Sequence, residues 1–131
     1  GLEYKMMIWL DTNENIKSWG AEHIKIPYEK TEYNNKEKDL QTTSHNYYPD
    51  FYYELQKSDG SISKVVAEVK PSNETREPKL NPNPTAKQLK NFEYALKMWN
   101  KNLSKWKYMI EYCERKGFEF IIITEEHLSR N

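Results

Sequence analysis

Two carboxylates and a lysine stand in two short strings near the middle of the chain, Tyr48-Pro49-Asp50 and Glu68-Val69-Lys70. Carboxylates that converge through their oxygen atoms bind hard cations such as Mg²⁺ or Mn²⁺. A cation and a nearby lysine can neutralise a phosphodiester, activate a water molecule and assist the leaving alkoxide. The residue types therefore suggest metal-assisted hydrolysis, provided that the two strings lie side by side.

A turn signal between the strings predicts that they do lie side by side. Residues 58–60, Ser-Asp-Gly, suit a three-residue hairpin loop with glycine in the left-handed position. Such a loop pairs Lys57 with Ser61 and places Asp50 directly opposite Glu68. Like charges in directly opposed positions destabilise a sheet, and a divalent cation between them is the simplest explanation.

The two faces of this hairpin support the same register. One face pairs Glu54 with Lys64, and the other face is mostly apolar. Because side chains alternate between faces, a slip of one residue would bury the charges and expose the apolar set. The mostly apolar face consists of Pro49, Phe51, Tyr53, Leu55, Ser63, Val65, Ala67 and Val69.

In this geometry we expect Asp50 and Glu68 to hold the metal ion, with the backbone carbonyl of Val69 as a further ligand. Lys70 would position or deprotonate the water, or stabilise the developing charge. Glu3 would add a carboxylate if the first helix packs across the hairpin. A purely structural alternative makes Asp50 a turn or cap residue and leaves Glu68 and Lys70 on a solvated strand face. That alternative does not explain the opposed carboxylates.

Composition favours one domain over residues 1–131, with 14% aromatic residues arguing against disorder and 31% charged residues indicating a strongly hydrated surface. No apolar run approaches the roughly 20 residues of a membrane-spanning helix. Cys113 is the single cysteine, so an internal disulfide is excluded, which suits a cytosolic protein. The chain begins at Gly1 rather than at a methionine, which leaves open whether a segment precedes it.

The net charge is zero, but the charges are unevenly distributed along the chain. Residues 76–116 contain ten basic and four acidic side chains. This excess would suit a face that binds DNA phosphates, although mixed charge on a solvated helix is an equally ordinary explanation. The candidate DNA-binding residues are Tyr48, Lys79, Lys87 and Lys90.

Hydrophobic periodicity predicts an α/β fold in which a small mixed β-sheet is flanked by helices. Residues 85–116 carry apolar side chains at steps of three or four, which predicts one kinked helix or two consecutive helices, with Gly117 at the end. The other predicted elements are a helix over 3–13, a strand over 19–28, a mobile polar insertion over 29–46, the hairpin over 47–70, a proline-rich loop over 71–84, a strand over 118–124 and a turn over 125–128.

The predicted arrangement resembles the PD-(D/E)xK nuclease superfamily, with Glu on a first helix, P-D on one strand and E-x-K on the next. It is more similar to one branch, the head-completion nucleases of tailed phages, along nearly the whole chain. The matching pieces are Glu3 with Trp9-Leu10-Asp11, residues 16–22, Ile26-Pro27-Tyr28, residues 48–51, residues 67–71, Glu74-Thr75 with Pro78, Lys105-Trp106-Lys107, and residues 116–128.

The resemblance implies a restriction-endonuclease-like core and a Mg²⁺- or Mn²⁺-dependent DNA endo- and exonuclease. Such an enzyme would act on packaged DNA so that the filled head can be joined to the tail. Its catalytic set would be Glu3, Asp50, Glu68 and Lys70. Its partners would be DNA and phage head or portal proteins, in the cytoplasm of the infected host cell or in the virion.

Two departures from the family pattern bear on this implication. The basic segment that usually precedes the first helix is missing, so Glu3 is expected to be poorly held and DNA affinity to be reduced. The segment formed by residues 29–46 is also longer than the corresponding segment of relatives.

Two alternative functions remain open. The same motif is similar to those of TnsA-type transposon nucleases and phage junction-resolving endonucleases, which would make the chain a structure-specific nuclease of recombination or transposition. Alternatively, the chain is a DNA-end-binding assembly factor with a secondary nuclease site.

Overall fold

The computed structural model describes residues 1–128 and places a four-stranded sheet between two helices. A separate two-stranded sheet precedes the central hairpin, and a short 3₁₀ turn, Ser72–Thr75, lies in the proline-rich loop. The elements are α1 Leu2–Thr12, β1 Ile16–Ala21, β2 Ile26–Asn34, β3 Asp39–Tyr47, β4 Phe51–Gln56, β5 Ile62–Val69, α2 Ala86–Lys116, β6 Glu119–Ile123 and α3 Glu125–Leu128.

The central hairpin β4–β5 has the register that its turn predicts. Phe51 pairs with Ala67, and the same register continues along the ladder. The backbone N–H of Lys57 donates to the carbonyl of Ser61 at 2.8 Å. Gly60 has φ = 88°, a left-handed conformation that glycine adopts without steric cost. The predicted three-residue loop is therefore confirmed, although β4 begins at Phe51 rather than near residue 47.

The larger sheet is mixed, and helices cover both of its faces. Its strand order is β1-β4-β5-β6, in which β5 and β6 are parallel and the other neighbours are antiparallel. Helix α1 packs on one face through Met6 and Leu10, which contact Phe51 and its neighbours. Helix α2 covers the opposite face, where Trp106 and Met109 form a cluster with Val66 and other residues. The predicted α/β class with a small mixed sheet flanked by helices is confirmed.

The strand predicted over residues 19–28 is wrong, because the structure divides it into β1 and β2. Glu22 follows β1 with φ = 50°, and residues 22–25 form no regular element. Because this left-handed conformation interrupts an extended chain, it separates the two strands.

Residues 29–46, predicted to be a mobile insertion, instead form most of the antiparallel pair β2–β3. Their polar composition suits a ribbon that is largely solvated, and threonine favours strands. The hydroxyls of Thr31 and Thr42 face each other across the pair at 2.9 Å. Ile26 and Tyr47, at the base of the ribbon, are buried in the core beside α2.

The helical segment 85–116 is one helix, so the two-helix alternative is wrong. Thr85 and Gln88 form a capping box at its start, and Gly117 ends it in the left-handed conformation with φ = 74°. Asn102, near the middle of this segment, is buried within α2. Tertiary packing overrides weak helix propensity here. No helix within residues 1–128 is long and apolar enough to cross a membrane.

Candidate active site

Asp50 is held by hydrogen bonds through both its side chain and its backbone. The Oδ2 atom accepts a hydrogen bond of 2.8 Å from the backbone N–H of Val69. The carbonyl of Asp50 accepts another, of 3.0 Å, from the N–H of Glu22. Burial raises the pKa of Asp50; the Val69 N–H opposes this shift, and the nearby Glu3 carboxylate adds to it.

Glu68 lies one residue before the end of β5 and is only 4% exposed. It pairs with Ile122 in the parallel ladder to β6. Burial raises the pKa of Glu68 to about 7, while the charges of Lys70 and Lys105 and the backbone N–H of Asp50 act in the opposite direction. The purely structural alternative, which leaves Glu68 on a solvated strand face, is therefore wrong for this position, because the side chain is buried.

Glu3 stands in the first turn of α1, an exposed position at the end of the helix nearest the carboxylates. Its charge raises the pKa of both Asp50 and Glu68. Met6 and Leu10 attach α1 to the sheet one and two turns later. Helix α1 thus packs on the sheet, and the Glu3 charge is near enough to act on both Asp50 and Glu68.

Two lysines face this carboxylate cluster. Lys70 follows β5, and its backbone N–H donates to the carbonyl of Ile123 at 2.9 Å. Its charge lowers the pKa of Asp50 and of Glu68. Lys105 approaches from α2, and its charge also lowers the pKa of Glu68. Lys70 and Lys105 therefore both favour the ionised form of Glu68.

Lys105 is the residue that the motif reasoning missed. Its Nζ lies 5.0 Å from the centroid of the Tyr47 ring, a cation–π contact. Burial lowers the pKa of Lys105; the charge of Lys101 lowers it further, and Glu68 opposes the shift. Positions 102, 105, 106 and 109 share one face of α2. A lysine within this buried stripe is the signal that could have identified it.

The carboxylates fit a hard divalent cation. Within residues 1–128, no three His, Cys, Asp or Glu side chains are close enough together to hold a metal ion by themselves. Mg²⁺, however, is commonly held by one or two carboxylates while it keeps several water ligands. Asp50 and Glu68 supply such a pair, and a cation would stabilise charges that burial disfavours. The Val69 carbonyl is a further oxygen donor at the same strand end.

The candidate DNA-binding residues are not all near this cluster. Tyr48 is 47% exposed and stands two residues before Asp50. Lys79 is exposed in the proline-rich loop, and Lys87 and Lys90 are exposed near the start of α2. Lys90 precedes Lys105 by a helical segment of about 22 Å. The structure thus brings Tyr48 near the carboxylates and leaves the two helix lysines apart from them.

The small mixed sheet flanked by helices is that of a PD-(D/E)xK nuclease with a restriction-endonuclease-like core. The TnsA-like endonuclease N-terminal family model matches residues 13–125, and the chain belongs to this family. The chain is also similar to the head completion nuclease of Enterobacteria phage T4, with 29% identity over 120 residues, which cover 92% of this chain and 72% of that protein. No solved structure matches it significantly. The predicted nuclease class is confirmed.

Proposed function

We propose that this chain is a Mg²⁺-dependent deoxyribonuclease, able to use Mn²⁺ instead, that acts when a phage head is completed and joined to its tail. The observation that carries the proposal is the hydrogen bond from the Val69 N–H to the Asp50 carboxylate, which holds Asp50 at the strand end that carries Glu68. The similarity to a head completion nuclease supports the setting.

Asp50 and Glu68 would hold the cation, with the Val69 carbonyl and Glu3 as further oxygen donors. When bound, the cation supplies charge neutralisation at the phosphate and lowers the pKa of a water molecule. The hydrogen bond from Val69 keeps Asp50 oriented before the cation or DNA arrives. Such preorganisation reduces the cost of assembling the site during the reaction.

The two lysines would act on the substrate. Lys70, at the end of β5, would position or deprotonate the attacking water, or stabilise the charge that develops on the phosphate. Lys105, on the α2 side of the carboxylates, would contact a non-bridging phosphate oxygen. Its contact with the Tyr47 ring restrains the ammonium group near the site.

The whole of residues 1–131 would form one nuclease domain, with 29–46 as an inserted ribbon, 71–84 as a loop and 85–116 as the helical segment. DNA would run along α2 from the active site toward Lys87 and Lys90. The separation of about 22 Å corresponds to about six base pairs of duplex, at about 3.4 Å per step. Tyr48 and Lys79 would make further contacts. The partners would be DNA and phage head or portal proteins, in the host cytoplasm or the virion.

The test is cleavage of linear and supercoiled plasmid DNA in Mg²⁺ and in Mn²⁺ by the wild type, Lys70→Ala and Lys64→Ala. Lys64 is the matched control, because it is an exposed lysine on the same strand and pairs with Glu54. The wild type and Lys64→Ala should cleave both substrates, and Lys70→Ala should not. A wild type that leaves both DNAs intact in both ions would overturn the proposal.

The family match favours a second candidate function, a structure-specific nuclease of recombination or transposition. Cleavage of linear duplex, supercoiled DNA and a four-way junction distinguishes the two. A head-completion nuclease should cleave ordinary duplex, whereas a junction-resolving enzyme should cut the junction alone. If Lys70→Ala abolished cleavage yet fully supported head–tail joining, a DNA-end-binding assembly role would be favoured instead.

A further inference from the structure

A cavity of about 320 Å³ lies between the proline-rich loop and α2. Its volume is at the lower end of the range for small-molecule pockets, about 300–1,000 Å³. Asn73 and Arg76 are among the loop residues that line it, and Trp99 and Asn102 are among those from α2. The proposed nuclease mechanism does not use this cavity.

The two walls of the cavity, the proline-rich loop and α2, each lie close in the chain to a lysine of the candidate active site. Asn73 follows Lys70 by three residues, which can span at most about 11 Å. Asn102 precedes Lys105 by three residues and therefore lies on the same face of α2, about one turn away. A ligand bound to the reacting lysines can thus extend one of its groups into the cavity.

The α2 wall offers flat apolar surface and one buried amide. Tyr94 is 67% exposed at the cavity, and Trp99 is half-buried in its wall. Asn102 is only 7% exposed overall, and it is one of the residues that line the cavity. An asparagine amide carries both a donor and an acceptor, so it can match a ligand edge that has both.

The charges of the loop wall indicate a ligand group that is itself uncharged. Arg76 and Glu74 both line the cavity, so their formal charges cancel. Neither residue forms an ion pair within the part of the chain that the structure describes. A free phosphate would be repelled by the carboxylate of Glu74. A neutral ring with hydrogen-bonding edges suits a cation, a carboxylate and an amide together.

We propose that this cavity receives one unpaired nucleobase of the DNA substrate, adjacent to the phosphate that is cleaved. The inference rests on the nuclease function proposed above. The base stacks on Trp99 or Tyr94, and its edge hydrogen-bonds to the amide of Asn102. Stacking on aromatic side chains accepts any base, because every base has a π face. The enzyme then favours DNA with a frayed end or a single unpaired nucleotide near the cleavage position.

The test uses the Lys70→Ala protein, so that binding is measured without cleavage. Fluorescence anisotropy compares a blunt duplex, the same duplex with one unpaired nucleotide, and that duplex with an abasic residue at the unpaired position. The unpaired nucleotide should tighten binding by at least about fivefold, the lower end of the effect of one stacked base. The abasic residue should remove this gain, since it retains the phosphate and lacks the ring.

Three further variants in the same background locate the effect. Ala95→Phe fills the cavity and should abolish the preference for the unpaired base, and Tyr94→Ala removes one of the two rings and should weaken it. Tyr33→Ala is the control, because Tyr33 is 58% exposed on β2 and does not line the cavity. It should leave the preference unchanged. Circular dichroism confirms that each variant is folded.

Two outcomes overturn the inference while leaving the nuclease proposal intact. One is equal binding of the blunt and unpaired duplexes by Lys70→Ala, with normal plasmid cleavage by the wild type. The other is a preference that survives both Tyr94→Ala and Ala95→Phe. If the wild type cleaves no DNA, the proposed function itself fails, and the binding comparison then decides separately whether the cavity takes a base.

Discussion

The Oδ2 atom of Asp50 accepts a hydrogen bond of 2.8 Å from the backbone N–H of Val69, the residue that follows Glu68 in β5. This bond connects the start of β4 to the end of β5 at the level of the two carboxylates. It uses one oxygen of Asp50, so the other oxygen can face a cation. The same hydrogen bond therefore stabilises the hairpin and orients Asp50 as a candidate metal ligand.

Replacing Asp50 should separate these two effects. Asp50→Asn keeps an oxygen that can accept the hydrogen bond from Val69, so it should be folded and nearly as stable as the wild type, but should not cleave DNA. Asp50→Ala should lose cleavage and about 1–3 kcal/mol of stability, because the Val69 N–H loses its partner. Urea denaturation and plasmid cleavage measure the two quantities. Substantial cleavage by Asp50→Asn would exclude Asp50 as a metal ligand.

Lys105→Met should lower the rate of DNA cleavage by about ten- to a hundredfold, because one cation near the phosphate is removed. The folded structure should persist, since methionine retains most of the apolar stem. Lys107→Met is the matched control: Lys107 is exposed, two residues away on α2. Single-turnover cleavage rates of the two variants test the assignment. Equal rates in both would show that Lys105 acts on neither substrate nor site.

Stability should fall as the pH rises through the pKa of Glu68. That pKa is about 7 in the folded protein, against an ordinary value of 4.5, so the folded state binds the proton more tightly. The resulting stabilisation is fully present below pH 4.5 and is lost as the pH rises through about 7. Because the difference is more than two pKa units, its free energy is about 3 kcal/mol.

Glu68→Gln should therefore be more stable than the wild type at pH 8.5 by about 1–3 kcal/mol and nearly equal to it at pH 5. Urea denaturation in the presence of a chelator, at both pH values, measures this difference. Glu54→Gln serves as the control, because Glu54 pairs with Lys64 away from the cluster. A Glu68→Gln protein that is less stable at pH 8.5 would mean that the two lysines outweigh the cost of burial.

The outer part of the ribbon β2–β3 should be dispensable for folding. Replacing residues 31–42 by Asn-Gly keeps Ile26 and Tyr47, the residues that anchor the ribbon in the core. The removed side chains are exposed or only half-buried, and Asn-Gly suits a two-residue hairpin turn. The melting temperature should change by less than about 5 °C, as circular dichroism would show. A larger loss would mean that the tip contributes to the core.

The hairpin β4–β5 shows how much local sequence can determine. Its loop, its register and the pairing of Glu54 with Lys64 are as predicted, because turn chemistry and alternation act between residues close in the chain. The ends of α2 are local too, since Thr85 and Gly117 determine them through caps. The ribbon β2–β3 was missed because polar strands lack the apolar alternation that reveals a half-buried strand.

The sequence by itself determined the fold class and the hairpin register, both of which depend on short-range periodicity and turn geometry. Only the tertiary structure decided that Glu68 is buried, which raises the pKa of Glu68, and that the charge of Lys105 lies close enough to act on it. Residues 68 and 105 are far apart in the chain, and their proximity depends on how α2 packs on the face of the sheet. No local pattern encodes that packing, because it arises from apolar surfaces that meet only in the folded protein.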